Sequence, residues 1–98
     1  MEKNRTIKLM LHYIKKIVEI EDYTVTCLFN TGEVRTIDLT EVVHKYQRIN
    51  DGLISKLSDK AYFKTVTLDS YGTLLWENGV DFDPDNLYNM STSVLQSA

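Results

Sequence analysis

The chain has 98 residues, 43% of them hydrophobic and 26% charged, with a formal net charge of -3. That length fits one domain, the apolar content is enough for a core, and no apolar run approaches the roughly 20 residues that a membrane span requires. The single cysteine, Cys27, excludes an intramolecular disulfide, and Leu9-Met10-Leu11 is too short for a signal-peptide core, so a cytoplasmic chain is expected.

In chain order, residues 14–21 predict a strand with Ile14, Val18 and Ile20 on one face and Ile17 on the other. Residues 23–30 alternate more cleanly, with Tyr23, Val25, Cys27 and Phe29 inward and Thr24 and Thr26 outward. After a turn in which Gly32 can take positive φ, residues 33–39 place Arg35, Ile37 and Leu39 on one face, completing a meander. Thr40 is expected to cap a helix over 41–49, where Val42, Val43, Tyr46 and Ile49 recur at helical spacing and Glu41 suits the first turn. Asn50-Asp51-Gly52 ends it, a shorter helical piece follows over 53–57, and Ser58-Asp59 can cap a further turn reaching Tyr62. Residues 64–69 and 73–77 predict a second hairpin around Ser70-Tyr71-Gly72. Asn78-Gly79 is a turn signal, and Asp83-Pro84 starts a last helix docked through Leu87 and Tyr88. The expected fold is α+β, an antiparallel sheet from a three-stranded meander and a second hairpin with two or three short helices. An N-terminal arm (1–13) precedes a single domain (14–90), and a frayed tail (91–98) follows.

Every Lys and Arg lies at or before Lys64, whereas Asp69, Glu77, Asp81, Asp83 and Asp85 follow. Nucleic-acid binders need clustered cations, so this distribution leads to an expectation of no direct nucleic-acid contact. Lys3, Arg5, Lys8, Lys15 and Lys16 read as a solvated basic arm. The alternating Asp81, Asp83 and Asp85 suggest calcium, but an EF-hand loop begun at Asp81 would need Gly and Glu where the chain has Asn86 and Thr92. Turn and cap roles are therefore expected for these carboxylates. His12 and His44 have no partner nearby in sequence, and Cys27 sits on an apolar strand face where a thiolate would be desolvated. No phosphate loop, H-E-x-x-H or G-x-S-x-G is present, so neither catalysis nor a cofactor is expected. Tyr46, Tyr62, Tyr71, Trp76 and Tyr88 read either as core or as half-exposed anchors for a partner.

The block from Trp76 to Tyr88, with Trp76-Glu77-Asn78-Gly79-Val80-Asp81 at its head, resembles the end of the domain-of-unknown-function family 2442. Phe29-Asn30-Thr31-Gly32-Glu33 through Asp38-Leu39, and Phe63, resemble earlier parts of its pattern, so the likeness covers about 14–89. The resemblance implies a small bacterial α+β unit of antiparallel strands with helices. Some relatives carry a following helix-turn-helix domain, for which this chain is expected to be too short, and others are encoded beside a second small protein in pairs like toxin and antitoxin. The expectation is a non-catalytic protein-interaction module, antitoxin-like in character. Trp76, Asp81, Asp83, Asp85 and Tyr88 would meet a neighbour-encoded small protein or a second copy of the chain. The alternative is a ligand-sensing domain with a pocket between helix 41–49 and the sheet.

Overall fold

The computed structural model describes residues 11–49, 52 and 54–94. The expectations for Lys3, Arg5 and Lys8, for the helix stop at Asn50-Asp51, for Leu53, and for residues 95–98 lie outside those residues. Strands β1 (Ile14–Glu21), β2 (Thr24–Phe29) and β3 (Val34–Asp38) form the antiparallel meander. Helix α1 (Thr40–Arg48), a 3-10 helix (Ile54–Ser58) and α2 (Lys60–Phe63) follow, then β4 (Thr67–Leu68), β5 (Leu74–Leu75), α3 (Pro84–Met90) and β6 (Thr92–Ser93). The main sheet has the order β1-β2-β3-β6, and β4-β5 form a separate hairpin. This is the expected α+β architecture with one added strand: Thr92–Ser93, read from sequence as the start of a tail, pairs with Arg35 and Thr36 of β3.

Alternation accounts for the core. Val25, Cys27, Phe29 and Ile37 line the inner face of the sheet and are fully buried, packing with Leu39, Val43, Leu57, Phe63, Leu74, Trp76 and Leu87. The opposite face carries Thr26 and Thr36, whose hydroxyls meet at 3.1 Å, as expected for an antiparallel sheet with one face in solvent. In β1 the expected phase fails. Register shifts after Ile14 and Ile17 bring Ile17 and Ile20 against the core and leave Val18 51% exposed. A bulge inserts one unpaired residue, so a pattern of period two changes face there.

Two other departures are local. Thr40 is the first residue of α1 rather than its cap; Asp38 supplies the missing acceptor, its carboxylate taking the Thr40 N–H at 2.9 Å. The hydrogen bonds from Thr40 hold the Asp38 carboxyl below its usual range. The second hairpin keeps only two residues in each strand, because Trp76 leaves the ladder to close a turn with Val80 (2.9 Å) and to donate its indole Nε1–H to the Phe63 carbonyl (3.0 Å). Asp59 and Asp83 cap α2 and α3 as the sequence indicates, each accepting from a backbone N–H at 2.9 Å.

Candidate functional site

The densest gathering of chemistry-bearing side chains lies where the segment before β1 meets α3, at the end of the sheet away from α1. Tyr88, one turn along α3, is held on every side. The His12 ring stacks on it with centroids 3.7 Å apart and planes 11° off parallel. The Arg35 guanidinium carbon lies 4.5 Å from the same centroid, and two groups that close must take opposite faces. Phe29 meets the ring edge-on at 5.2 Å, and the phenol hydroxyl donates to Glu33.

Glu33 is a shared acceptor. One carboxylate oxygen takes the Tyr88 hydroxyl and the Thr31 hydroxyl, and the other takes Arg35 at 3.0 Å. The Tyr88 hydrogen bond, then that of Thr31, then Arg35, hold the Glu33 carboxyl below the usual carboxylate range; the same bond pushes the Tyr88 phenol above its own. Arg35 also donates Nε–H to the Ser91 hydroxyl (2.6 Å) and a terminal N–H to the Ser91 carbonyl (2.9 Å). These bonds fasten the chain leaving α3 to β3 immediately before β6 begins.

Asp85 closes the cluster on the other side. Its Oδ1 accepts the His12 backbone N–H and the His12 ring Nδ1, each at 2.9 Å, and its Oδ2 takes the Leu11 N–H at 3.4 Å. A carboxylate only accepts, so Nδ1 of the ring is the donor in this contact. Asn30 brackets the same segment, accepting from Tyr13 N–H (2.8 Å) and donating to the Leu11 carbonyl (3.3 Å).

The sequence-predicted residues therefore part company. Trp76 is 1% exposed and stands behind the surface. Asp83 caps α3, while Asp85 and Tyr88 face inward to His12, Glu33 and Arg35. Of the five, Asp81 alone is exposed, paired through its backbone with Leu75. Among the described residues no three His, Cys, Asp or Glu side chains gather as a metal site. His12, Glu33, Arg35 and Ser91 are the members that sequence reasoning missed. One signal was available: a cation on the same strand face as Ile37 and Leu39 needs buried acceptors. Cys27 is fully buried, and desolvation pushes its thiol up to about 12, far from any reactive thiolate.

Two features lie apart from this cluster. A groove of about 480 Å³ runs between Thr31–Val34 and Ser93–Val94. At the opposite end of the sheet, the lobe built by α1, the 3-10 helix and α2 exposes Lys45, Arg48, Lys56, Lys60 and Lys64. Among the described residues no helix is long and apolar enough to cross a membrane.

No curated protein matches the chain significantly. A crystal structure from Nitrosomonas europaea, named "Putative DNA Binding Protein NE0471", is similar in fold, with a TM-score of 0.69 and 19% identity over 86% of this chain. The chain spans 51% of that protein's length. At that identity the likeness shows the fold, and the DNA binding in that protein's name overturns the expectation of no direct nucleic-acid contact. The physical fault in that expectation was averaging: a cation-free last third says nothing of the surface made by residues 45–64, whose five cations all face solvent. The family model described as "Protein of unknown function (DUF2442)" matches residues 14–93, and with the meander, the helical lobe and the capped last helix in place the chain belongs to that family.

Proposed function

We propose that the chain is a non-catalytic interaction domain, acting by presenting a surface to a macromolecular partner. One observation carries this reading: in the densest cluster of the molecule, the side chains able to do acid, base or nucleophilic work are hydrogen-bonded to one another. His12 is tied to Asp85, Tyr88 and Arg35 converge on Glu33, and Cys27 is sealed in the core. A catalytic group must instead reach a substrate atom with its hydrogen-bonding capacity free. A protein partner, encoded nearby or a second copy, fits this reading, with Asp81 the exposed one of the five residues expected to meet it. The free thiol of Cys27 accords with a reducing cytoplasm. Nucleic acid is the other class of partner, supported by the exposed cations of the helical lobe and by the name of the Nitrosomonas protein.

The test is affinity capture of the tagged chain from its own cells, with and without nuclease, and identification of the bound species by mass. A stoichiometric macromolecular partner is expected. An empty capture, together with turnover of any small substrate that is abolished by His12→Ala, would refute the reading. The groove beside Glu33 favours a second reading, a small-ligand sensor. A ligand at 100 times its dissociation constant would add about 2.7 kcal/mol to stability, so a metabolite thermal-shift screen without a hit would remove it.

A further inference from the structure

The cations of the helical lobe form a path interleaved with tyrosines. On α1, His44, Lys45 and Arg48 line one shallow depression together with Glu41 and Val42. His44 meets the edge of Tyr23 at 6.0 Å, and Lys60 of α2 lies over the same Tyr23 ring at 5.7 Å. Tyr23 is fixed there by its hydroxyl, which donates to the Ser58 carbonyl. Lys60 and Lys64 line the next depression along together with Glu21 and Asp22, and it reaches Ile20 of β1. Two more lysine–tyrosine pairs flank the path, Lys45 at 5.7 Å from Tyr46 and Lys56 at 5.0 Å from Tyr62. The three tyrosines are half-buried, so each is held in place and keeps part of its surface in solvent.

From this arrangement we infer that the lobe binds single-stranded nucleic acid, phosphates on Lys45, Arg48, Lys60 and Lys64 and unpaired bases on the tyrosine rings. The inference rests on the interaction-domain reading and names its partner. An acidic protein would need the cations alone; rings set between them give the flat faces that every base can stack on. Only unpaired bases can reach those faces, so a single strand fits better than a duplex. The lysines already poised over the rings would pass to the phosphates as bases take the ring faces. Three carboxylates line the same depressions, Glu41 in the first and Glu21 and Asp22 in the second, against the four cations. Asp22 pairs with Lys60 at 3.4 Å with both side chains largely exposed, a contact that water and salt weaken and a phosphate can replace.

The experiment is fluorescence anisotropy with a labelled mixed-sequence single-stranded oligonucleotide, titrated with the full chain at several salt concentrations. Four phosphate contacts predict a slope of log K against log salt of about -3. Lys45→Glu combined with Arg48→Glu should roughly halve that slope and weaken binding at least tenfold. Tyr46→Leu should cost fivefold or more if a base stacks there. Asp22→Asn should tighten binding by freeing Lys60. Circular dichroism checks that each variant is folded. Absence of binding at low salt, or a Lys45→Glu/Arg48→Glu variant that binds like the parent, overturns the inference. Equal competition by polyglutamate also overturns it and assigns the face to an acidic protein, while equal competition by duplex overturns the single-strand assignment. If the oligonucleotide fails while cellular capture still yields a protein, this inference falls and the interaction-domain reading stands.

Discussion

Replacing Asp85 by Ala removes the acceptor that ties the segment before β1 to α3. Two hydrogen bonds of 2.9 Å and one of 3.4 Å end on that carboxylate. The His12 and Asp85 side chains are 24% and 21% exposed, so water can replace part of what is lost. Each short bond is therefore assigned about 1 kcal/mol net, and the carboxylate's place in the first turn of α3 adds a few tenths more. The expected loss is about 2 kcal/mol, or roughly 8–16 °C in Tm for a domain of this size. Asp85→Asn keeps one oxygen acceptor without the charge and should recover about half. Urea unfolding followed by circular dichroism measures the change, with an unaltered m-value showing that the native state keeps its compactness. A cycle with His12→Ala supplies the sharper test, because residues in direct contact should couple by about 1 kcal/mol. A loss below about 0.5 kcal/mol, or strict additivity with His12→Ala, would refute the claim that this contact fastens the segment.

Four further outcomes follow from the structure. Glu33 has a depressed folded-state pKa, so its contribution to stability is present above its ordinary value of 4.5 and is lost as pH falls through the folded value. Tyr88→Phe removes the largest cause of that depression and should flatten the acid limb of a stability-against-pH curve; an unchanged limb would contradict the assignment. The Tyr88 phenol, raised by the same bond, should ionise above its ordinary value of 10.0 in a spectrophotometric titration, its stabilisation lost as pH rises through the folded value. Cys27, fully buried with its thiol pushed up to about 12, should resist a disulfide reagent at neutral pH until guanidinium unfolds the chain; rapid reaction of the native protein would show the core to be open. Gly72→Ala should destabilise more than Gly79→Ala, as read by calorimetry. Both glycines have positive φ, costing about 1 kcal/mol in a residue with a Cβ, but at Gly72 the added carbon would also stand 2.8 Å from Tyr13 Cβ and 3.1 Å from the Ile14 carbonyl. Equal losses would show that the Tyr13 contact gives way freely.

Where short-range rules govern, the fold was legible in the sequence. Alternation in β2 assigned Val25, Cys27 and Phe29 inward, and all three are fully buried. The cap at Asp83 followed by Pro84 marked the start of α3 to the residue. The failures share one cause, a local pattern overridden from a distance. Bulges in β1 are set by its pairing with β2, so Val18 turns outward despite its apolar side chain. Trp76 was placed in a strand because Leu74-Leu75-Trp76 looks like one, yet the indole N–H must find an acceptor once buried, and Phe63, 13 residues earlier, supplies it. The two residues of β6 have almost no periodicity to read; Arg35 brings Ser91 into place beside them.

The candidate cluster was nearly invisible for the same reason carried further. Its members pair across 55, 56 and 73 residues, and nothing local distinguishes a histidine that will meet an aspartate from one that will face water. Arg35 is the exception: inward alternation on a strand commits a guanidinium to the interior, and burial of that charge without acceptors would cost far more than the fold can spare. The requirement forces Glu33 and Ser91 towards it, and Tyr88 comes with Ser91 because Ser91 directly follows α3, which carries Tyr88. The division of charge along the sequence then acquires two different meanings in space. Asp83 and Asp85 turn inward as cap and clasp, so much of the acidic third is structural, whereas the cations between 45 and 64 find only Asp22 as a weak surface partner for Lys60 among the described ion pairs. Carboxylates satisfied within the fold have little left to offer a partner, and exposed ammonium groups beside held tyrosine rings have much. A surface search should therefore begin at the helical lobe, at the end of the molecule opposite the one that composition singles out.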